Sequence, residues 1–190
     1  MITYKKVDKT YFPQYDAIPM LIHISNYYHI EKINRGLGGV RFLETPIEPY
    51  TKDMGVDEVA TKYEKRFDIS NWAVFMAFDG DKAIGGVTIA ARTKEVLMLS
   101  NRDDLAVLWD IRVDDTYKRQ GVGQALFDMA VEWSRSQGLK HMKIECQNNN
   151  IPACSFYHKQ KASLCAFDEY AYYNEPECRH EVQLIWFLDL

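Results

Sequence analysis

Apolar and polar positions follow a weak pattern up to about residue 70 and a sharp one after it. In the weak part, Tyr28–Asn34 and Val40–Ile47 predict strands on either side of a glycine-rich turn. The prolines and acidic residues at 44–53 then indicate a surface connection. Val56–Phe67 predicts a short helix, because its apolar residues recur at helical spacing.

The sharp part begins with three strands. Trp72–Phe78 and Ala83–Ala91 predict an antiparallel pair, because the Asp79-Gly80 turn between them tolerates the positive φ of a hairpin. Leu105–Val113 is apolar on both faces and therefore predicts a strand inside the sheet.

A helix and a second half of the sheet complete the pattern. The helix begins at Val122, where apolar residues recur at helical spacing, and ends at Gly138. The remaining elements are a strand, a helix and two strands, at Leu139–Cys146, Asn150–Lys161, Leu164–Tyr173 and Val182–Leu188. This order predicts an α/β (α+β) fold with a mixed sheet and helices on both faces. A ligand site is expected at the carboxyl ends of its parallel strands.

The loop between the central strand and its helix, Lys118–Gln124, is a candidate anion site. Gly121 and Gly123 let the backbone approach a ligand without obstruction from a Cβ atom. The following helix directs free N–H groups and the positive end of its dipole toward the loop. A diphosphate is the natural occupant of such a site.

Asp110 is the one carboxylate in the apolar strand LAVLWDIRV. Burial of an unpaired carboxylate is costly, so Asp110 must find donors or change its pKa. A structural role is one reading, in which Asp110 pairs with Arg112 or holds a loop N–H. In the other reading it attracts an ammonium substrate and accepts its proton.

Two motifs resemble the GNAT superfamily of N-acetyltransferases. The sequence KRQGVG at 118–123 resembles its R/Q-x-x-G-x-G/A acyl-CoA loop, with Lys118 in place of the usual Arg or Gln. The sequence NIPACSFY at 150–157 resembles its N-x-x-A-x-x-F-Y element. Further on, Lys161 and Ala162 replace the usual glycine and phenylalanine, so a positive φ at Lys161 would be strained.

The resemblance implies one GNAT acetyltransferase domain over 1–190. Its parts would be a variable region (1–70), an acyl-CoA-binding core (72–162) and closing strands (163–190). The sheet would have about six to seven strands, and its central strand would splay at a β-bulge. Acetyl-CoA is the implied cosubstrate. The residues expected to hold it are Ile111, Arg112, Val113, Lys118, Arg119, Gln120, Gly121, Val122, Gly123, Gln124, Asn150 and Tyr157.

The resemblance also implies the role of each group. Backbone N–H groups of Ile111–Val113 would bind the pantetheine arm and polarise the thioester, and Asn150 would contact the arm. Tyr157 would face the departing sulfur. A phenol has a pKa of about 10 and a thiol about 8.5, so Tyr157 acts mainly as a hydrogen-bond donor. Glu145 is a second candidate, beside Asp110, for the catalytic carboxylate. No cysteine occupies a motif position, which favours direct transfer.

Composition narrows the class of protein. The net charge of −4 argues against a nucleic-acid partner and suits a cationic substrate. The four cysteines and five histidines show no metal-ligand spacing, so no metal is expected and the cysteines are expected to be free thiols. Because the N-terminus lacks a leader pattern and no apolar run reaches the length of a membrane span, a cytoplasmic protein without a membrane partner is expected.

The segments at 36–55 and 167–190 resemble bacterial streptothricin acetyltransferases. Those enzymes acetylate an amine of the β-lysine arm of a cationic antibiotic and confer resistance. An acidic pocket would suit such a substrate, with Glu44, Glu48, Asp53, Asp110 and Glu145 as candidates. Two alternatives stay open. One is acetylation of another amine, such as a protein lysine, a peptide N-terminus or a polyamine. The other is a non-catalytic acyl-CoA sensor. A homodimer is expected by analogy.

Overall fold

The computed structural model describes residues 1–56 and 58–190. The strands are β1 (Ile2–Val7), β2 (Leu21–Lys32), β3 (Val40–Asp53), β4 (Ala73–Asp79), β5 (Lys82–Ala91), β6 (Leu105–Val113), β7 (His141–Gln147), β8 (Ser163–Asp168) and β9 (Gln183–Asp189). The α-helices are α1 (Phe12–Asp16), α2 (Tyr63–Arg66), α3 (Val122–Ser136) and α4 (Ile151–Lys159). Within these described ranges, no helix is long and apolar enough to cross a membrane.

Seven strands form one mixed sheet in the order β1-β4-β5-β6-β7-β9-β8. The predicted mixed sheet of about six to seven strands is therefore confirmed. β2 and β3 form a separate two-stranded sheet. The chain divides into two compact units. The first comprises Met1–Leu21, Asp53–Ile144 and Leu188–Leu190, and the second comprises Ile22–Lys52 and Glu145–Phe187.

The sharp part of the pattern predicted its elements well. The hairpin turn is present, with Asp79 opposite Lys82 and a φ of +59° at Gly80. The strand at Leu105–Val113 has the predicted bounds. Asn150 accepts a hydrogen bond from the Ala153 N–H at 3.2 Å and so caps α4.

Three predictions in the weakly patterned or polar segments are wrong, and two of them concern strands. β3 continues through Pro46 and Pro49 to Asp53, where a surface connection was expected. A two-stranded sheet consists of two edge strands, and edge strands are where a sheet accommodates proline. The strand expected over Leu164–Tyr173 ends at Asp168, whose carboxylate accepts the Tyr170 N–H at 2.8 Å and forms a turn.

The helix expected over Val56–Phe67 is also shorter than predicted. A 3-10 turn at Ala60–Lys62 leads into the single turn of α2, and Asp57 lies outside the described residues. Asp16 accepts hydrogen bonds from the Ala60 and Thr61 N–H groups at 2.6 and 3.2 Å. Two N–H groups at the start of this turn are thus satisfied by a distant carboxylate instead of by the helix itself.

Helices cover both faces of the sheet in the first unit. Successive residues of a strand point to opposite faces. A Cβ on Gly85 would meet Leu126 of α3 at 3.0 Å, and a Cβ on Gly86 would meet Tyr15 of α1 at 2.3 Å. α3 covers one face and α1 the other, so the predicted helices on both faces are confirmed, although α1 itself was not predicted. The core includes the fully buried side chains of Tyr15, Tyr63, Phe127, Met76, Ile84, Ile89, Leu105, Leu126, Met142 and Ile144.

The central strand β6 carries a bulge and then leaves its parallel neighbour. Thr88 of β5 pairs with Asp110 and Ile89 pairs with Leu108, so Trp109 is an extra residue. The parallel register with β7 runs from Leu105↔His141 to Leu108↔Ile144, whereas β6 continues to Val113. The bulge and the splay implied by the family resemblance therefore fall at the same residue.

The second unit is organised by adjacent asparagines after β7. Asn148 exchanges hydrogen bonds with the backbone of Tyr28 and accepts the Val182 N–H at 2.9 Å. Asn149 donates to the buried Glu181 at 3.0 Å, and Lys52 pairs with the same carboxylate at 2.7 Å. Buried amides thus connect the β2–β3 sheet to the segment that precedes β9.

Gly86→Ala is expected to destabilise the first unit. The added methyl overlaps the buried Tyr15 ring, and overpacking of this kind costs about 1–3 kcal/mol. Urea unfolding should show a lower midpoint. The control is Gly123→Ala, whose Cβ would lie at an ordinary 3.6 Å from Val113. Equal midpoints for the two variants would contradict the packing described.

Candidate active site

A short turn after β6 positions the glycine loop. The Asp114 N–H donates to the Ile84 carbonyl at 2.9 Å, and its carboxylate accepts the Thr116 N–H at 3.0 Å and the Lys82 ammonium at 2.8 Å. These contacts, the Lys82 ammonium first, lower the pKa of Asp114 to about 2. Asp114 is therefore ionised at neutral pH and anchors the start of the loop on β5.

The loop has the backbone conformation of an anion site. Arg119 has φ +61° and Gly121 has φ +87°, so left-handed residues occur within the turn. Such turns direct successive N–H groups to one side, where they form a concave anion-binding surface. Gly121 is the N-cap of α3 and has no side chain to occupy the first N–H groups of the helix. The residues present therefore fit a diphosphate through backbone donors and the helix dipole.

The side chains of Lys118 and Gln120 are held by other groups. The Lys118 ammonium donates to the Leu21 carbonyl at 2.6 Å and forms an ion pair with Asp115. The Gln120 amide donates to the Thr116 carbonyl at 2.7 Å. Lys118 replaces the arginine or glutamine of the usual motif, and its ammonium group stabilises the loop through these contacts with Leu21 and Asp115.

Asp110 and Arg112 form an ion pair in which both side chains are 0% exposed. Arg112 Nε donates to Asp110 Oδ2 at 2.9 Å, and Nη2 donates to the same oxygen. Burial raises the pKa of the Asp110 carboxyl, and Arg112 offsets this only in part. The pairing with Arg112 is the one that the structural reading of Asp110 expects, although Arg112 contacts Oδ2 alone and the buried Oδ1 has no hydrogen-bond partner within the described part of the chain.

Ile111 lies between the two members of this pair in β6, and Val113 follows Arg112 at the end of the strand. Both are partly exposed, whereas Asp110 and Arg112 are buried. The alternation means that the two side chains point to the opposite face from the ion pair.

Glu145 lies in the second unit at the point where β7 enters it. The Tyr172 hydroxyl donates to Glu145 Oε1 at 2.7 Å, and the Gln147 amide donates to that hydroxyl at 3.1 Å. Burial, followed by Glu145, raises the pKa of Tyr172. Tyr172 is therefore a neutral phenol that donates its proton to the carboxylate.

Tyr157 is 5% exposed and lies on α4 in the second unit. Its ring is tilted against Trp186, with centroids 6.4 Å apart. Cys154, one turn earlier, lies 3.6 Å from Cys146 on β7, measured between the sulfur atoms. At the end of the helix Lys161 has φ +67°, the strained conformation that the missing glycine implied.

The structure divides the predicted site residues between the two units. The first unit contains Asp110, Ile111, Arg112, Val113 and the loop Lys118–Gln124, and the second contains Glu145, Asn150 and Tyr157.

Sequence reasoning missed the buried Asn148 and Asn149. The run of three asparagines after an apolar strand was the available signal. Among the described residues, no group of three His, Cys, Asp or Glu side chains is placed to hold a metal.

Gly121→Ala is expected to weaken coenzyme A binding about tenfold. Alanine at φ +87° is strained by about 1–2 kcal/mol, and relaxation of the loop would turn its N–H groups away from the anion. Calorimetry of coenzyme A binding measures the effect, with Gly138→Ala as the matched control, because Gly138 has a similar φ of +73° and lies outside the loop. The loop assignment is wrong if the affinity of both variants equals that of the wild type.

Comparisons with known proteins agree with this geometry. The model of the acetyltransferase (GNAT) family matches residues 40–161. Streptothricin acetyltransferase A of Bacillus subtilis (strain 168) is 29% identical over 140 residues, which are 74% of this chain and 73% of that protein. A streptothricin acetyltransferase of Escherichia coli is 27% identical over 141 residues, 74% of this chain and 71% of that protein.

Solved structures show the same fold. The crystal structure of nourseothricin acetyltransferase gives a TM-score of 0.78 at 20% identity, covering 99% of this chain and 98% of that one. A protein of Bacillus anthracis str. Ames in complex with acetyl coenzyme A also gives 0.78 at 20% identity, covering 100% and 98%. With a family model that matches most of its length, this chain belongs to the GNAT family and is an N-acetyltransferase that uses acetyl-CoA as cosubstrate.

Proposed function

We propose that this acetyltransferase transfers the acetyl group directly to an amine of streptothricin, on its β-lysine arm, and so gives resistance to that antibiotic. The observation that carries the proposal is the similarity to two proteins named streptothricin acetyltransferase across 74% of the chain. The net charge of −4 is compatible with a cationic acceptor. Such a reaction takes place in the cytoplasm, where acetyl-CoA is available.

The first unit would bind and orient the cosubstrate. Backbone N–H groups of Arg119–Gly123 and the first turn of α3 would hold the diphosphate. The splayed segment Ile111–Val113 would offer backbone N–H groups to the pantetheine arm and the thioester carbonyl. Bound acetyl-CoA supplies an acetyl group activated as a thioester. The Asp110–Arg112 pair would fix the shape of this strand end.

Residues of the second unit would act on the leaving group and the acceptor. Tyr157 would donate a hydrogen bond to the departing sulfur, and Asn150 would cap α4 so that this tyrosine is correctly placed. Glu145, oriented by Tyr172, is a carboxylate that could attract a cationic acceptor. None of these steps requires an acetylated cysteine, so we propose direct transfer.

Release of coenzyme A, followed with a thiol reagent, tests the proposed acceptor. Acetyl-CoA is supplied with streptothricin, spermidine or a lysine peptide. Saturable turnover with the highest kcat/KM for streptothricin is the expected result. Turnover only with spermidine or the peptide would refute the antibiotic acceptor. Binding of acetyl-CoA without turnover of any amine would favour a sensor. Expression in a susceptible bacterium should raise the inhibitory concentration of streptothricin.

Tyr157→Phe is expected to lower kcat by about a hundredfold, the usual contribution of a positioned proton donor. The phenyl ring keeps the contact with Trp186, so coenzyme A affinity should stay within roughly twofold of the wild-type value. Tyr170→Phe is the control, because Tyr170 is 74% exposed. Unchanged kcat in Tyr157→Phe would remove this residue from the chemistry.

A further inference from the structure

Glu58 lies before α2, and its side chain is held at the bulge of β6. Trp109, the extra residue of the bulge, donates its indole N–H to Glu58 Oε2 at 3.0 Å. Arg112 Nη2 donates to the Glu58 backbone carbonyl at 2.9 Å. Glu58 is partly exposed, whereas the Asp110 side chain is fully buried. At this end of β6, Glu58 is therefore a carboxylate that a ligand can reach.

Aromatic rings surround the indole that holds Glu58. Trp109 contacts Phe67 and Trp72, with ring centroids 5.2 Å apart in both cases, and Tyr63 at 6.3 Å. Trp109 and Phe67 are partly exposed. A carboxylate beside partly exposed aromatic rings is the chemistry that recognises an organic ammonium group.

We propose that Glu58 binds the ammonium group of the acceptor and takes its proton before acetyl transfer. The inference deepens the proposed function and rests on it. The proton moves from the nitrogen to a carboxylate oxygen of Glu58. The freed lone pair then forms the C–N bond to the acetyl carbonyl carbon, the nitrogen gives up a second proton, and the C–S bond breaks. Sulfur leaves with the bonding electrons and takes up one proton to become the thiol, while Glu58 passes the other proton to water.

The surroundings of Glu58 suit a proton acceptor. Burial, followed by the Asp110 charge, raises its pKa, while the Trp109 hydrogen bond, Arg66 and Arg112 lower it. Burial, followed by the charges of Asp110 and Glu58, also raises the pKa of Tyr63. A carboxylate with a raised pKa accepts a proton from an ammonium group more readily than a carboxylate with the ordinary pKa.

Glu58→Gln tests the proposal against a matched control. Glutamine keeps the size of the side chain and an oxygen for the Trp109 N–H but cannot take a proton. We expect kcat/KM for the acceptor to fall about a hundredfold while coenzyme A affinity stays within roughly twofold of wild type. Glu64→Gln is the control, since Glu64 is exposed on α2 and pairs with Lys9 at 3.1 Å. Equal kcat/KM for both variants would overturn the role of Glu58.

The pH profile separates a base from a structural residue. Trp109→Phe keeps an aromatic ring but removes the donor to the carboxylate, which raises the pKa of Glu58. The acidic limb of kcat/KM should therefore move to higher pH in Trp109→Phe and disappear in Glu58→Gln. An acidic limb unchanged in both variants would contradict the proposal, even if both lose activity.

The acceptor used in these assays distinguishes this inference from the proposed function. If the wild-type enzyme acetylates spermidine or the peptide instead of streptothricin, the antibiotic proposal fails. Glu58 is then judged with the amine that is turned over, and a hundredfold loss in Glu58→Gln supports it. Full activity of Glu58→Gln on streptothricin overturns Glu58 and leaves the antibiotic proposal standing. A wild-type enzyme inactive on all three amines overturns both.

Discussion

The buried ion pair between Asp110 and Arg112 is the interaction on which the functional end of the central strand depends. Burying two charges away from water is favourable only when the remaining hydrogen-bond donors and acceptors of both groups are satisfied. On the Arg112 side this demand is met, because the guanidinium also donates to the Ile18 and Glu58 backbone carbonyls at 3.4 and 2.9 Å, whereas Asp110 Oδ1 has no hydrogen-bond partner among the described residues. One guanidinium thus connects β6 to the segment after α1 and to the segment before α2. Loss of either partner would leave an unpaired buried charge, at a cost of about 3–5 kcal/mol.

The bulge at Trp109 follows from the same arrangement. It adds one residue to β6 opposite β5, so that Asp110 and Arg112 both point inward while Trp109, Ile111 and Val113 are partly exposed. The parallel register of β6 with β7 ends at Leu108, just before the bulge, and we propose that the backbone groups beyond it bind the cosubstrate. The bulge and the buried pair are therefore neighbouring features of the same strand end.

The sequence predicted those parts of the fold in which the local pattern of apolar and polar residues matches the burial of those residues in the structure. Leu105–Val113 is apolar on both faces, so its central position could be inferred, and the glycines of the loop indicated its left-handed backbone. β1 was missed because its polar side chains alternate without an apolar run. The predicted strand that became β3 ended before its prolines, because proline is rare in strands and only the structure shows that β3 is an edge strand.

The candidate site divides in the same way. The loop and Tyr157 carry recognisable motifs, whereas Glu58 sits in the weakly patterned region. Its contact with Trp109 joins positions 51 residues apart in sequence. No local signal reports such a contact. Asp110 was recognised as unusual and Arg112 was named as a possible partner, but the sequence also left open that this carboxylate faces a substrate, and only the structure shows the ion pair.

The central claim is that the loop and the bulged strand bind the cosubstrate through backbone groups. A crystal structure of this protein with coenzyme A tests it most directly. Diphosphate oxygens should lie within hydrogen-bonding distance of the N–H groups of Arg119–Gly123, with the pantetheine arm along Ile111–Val113 and Trp109 still bulged. A diphosphate bound elsewhere, or β6 in unbroken register with β5, would contradict this account of the site.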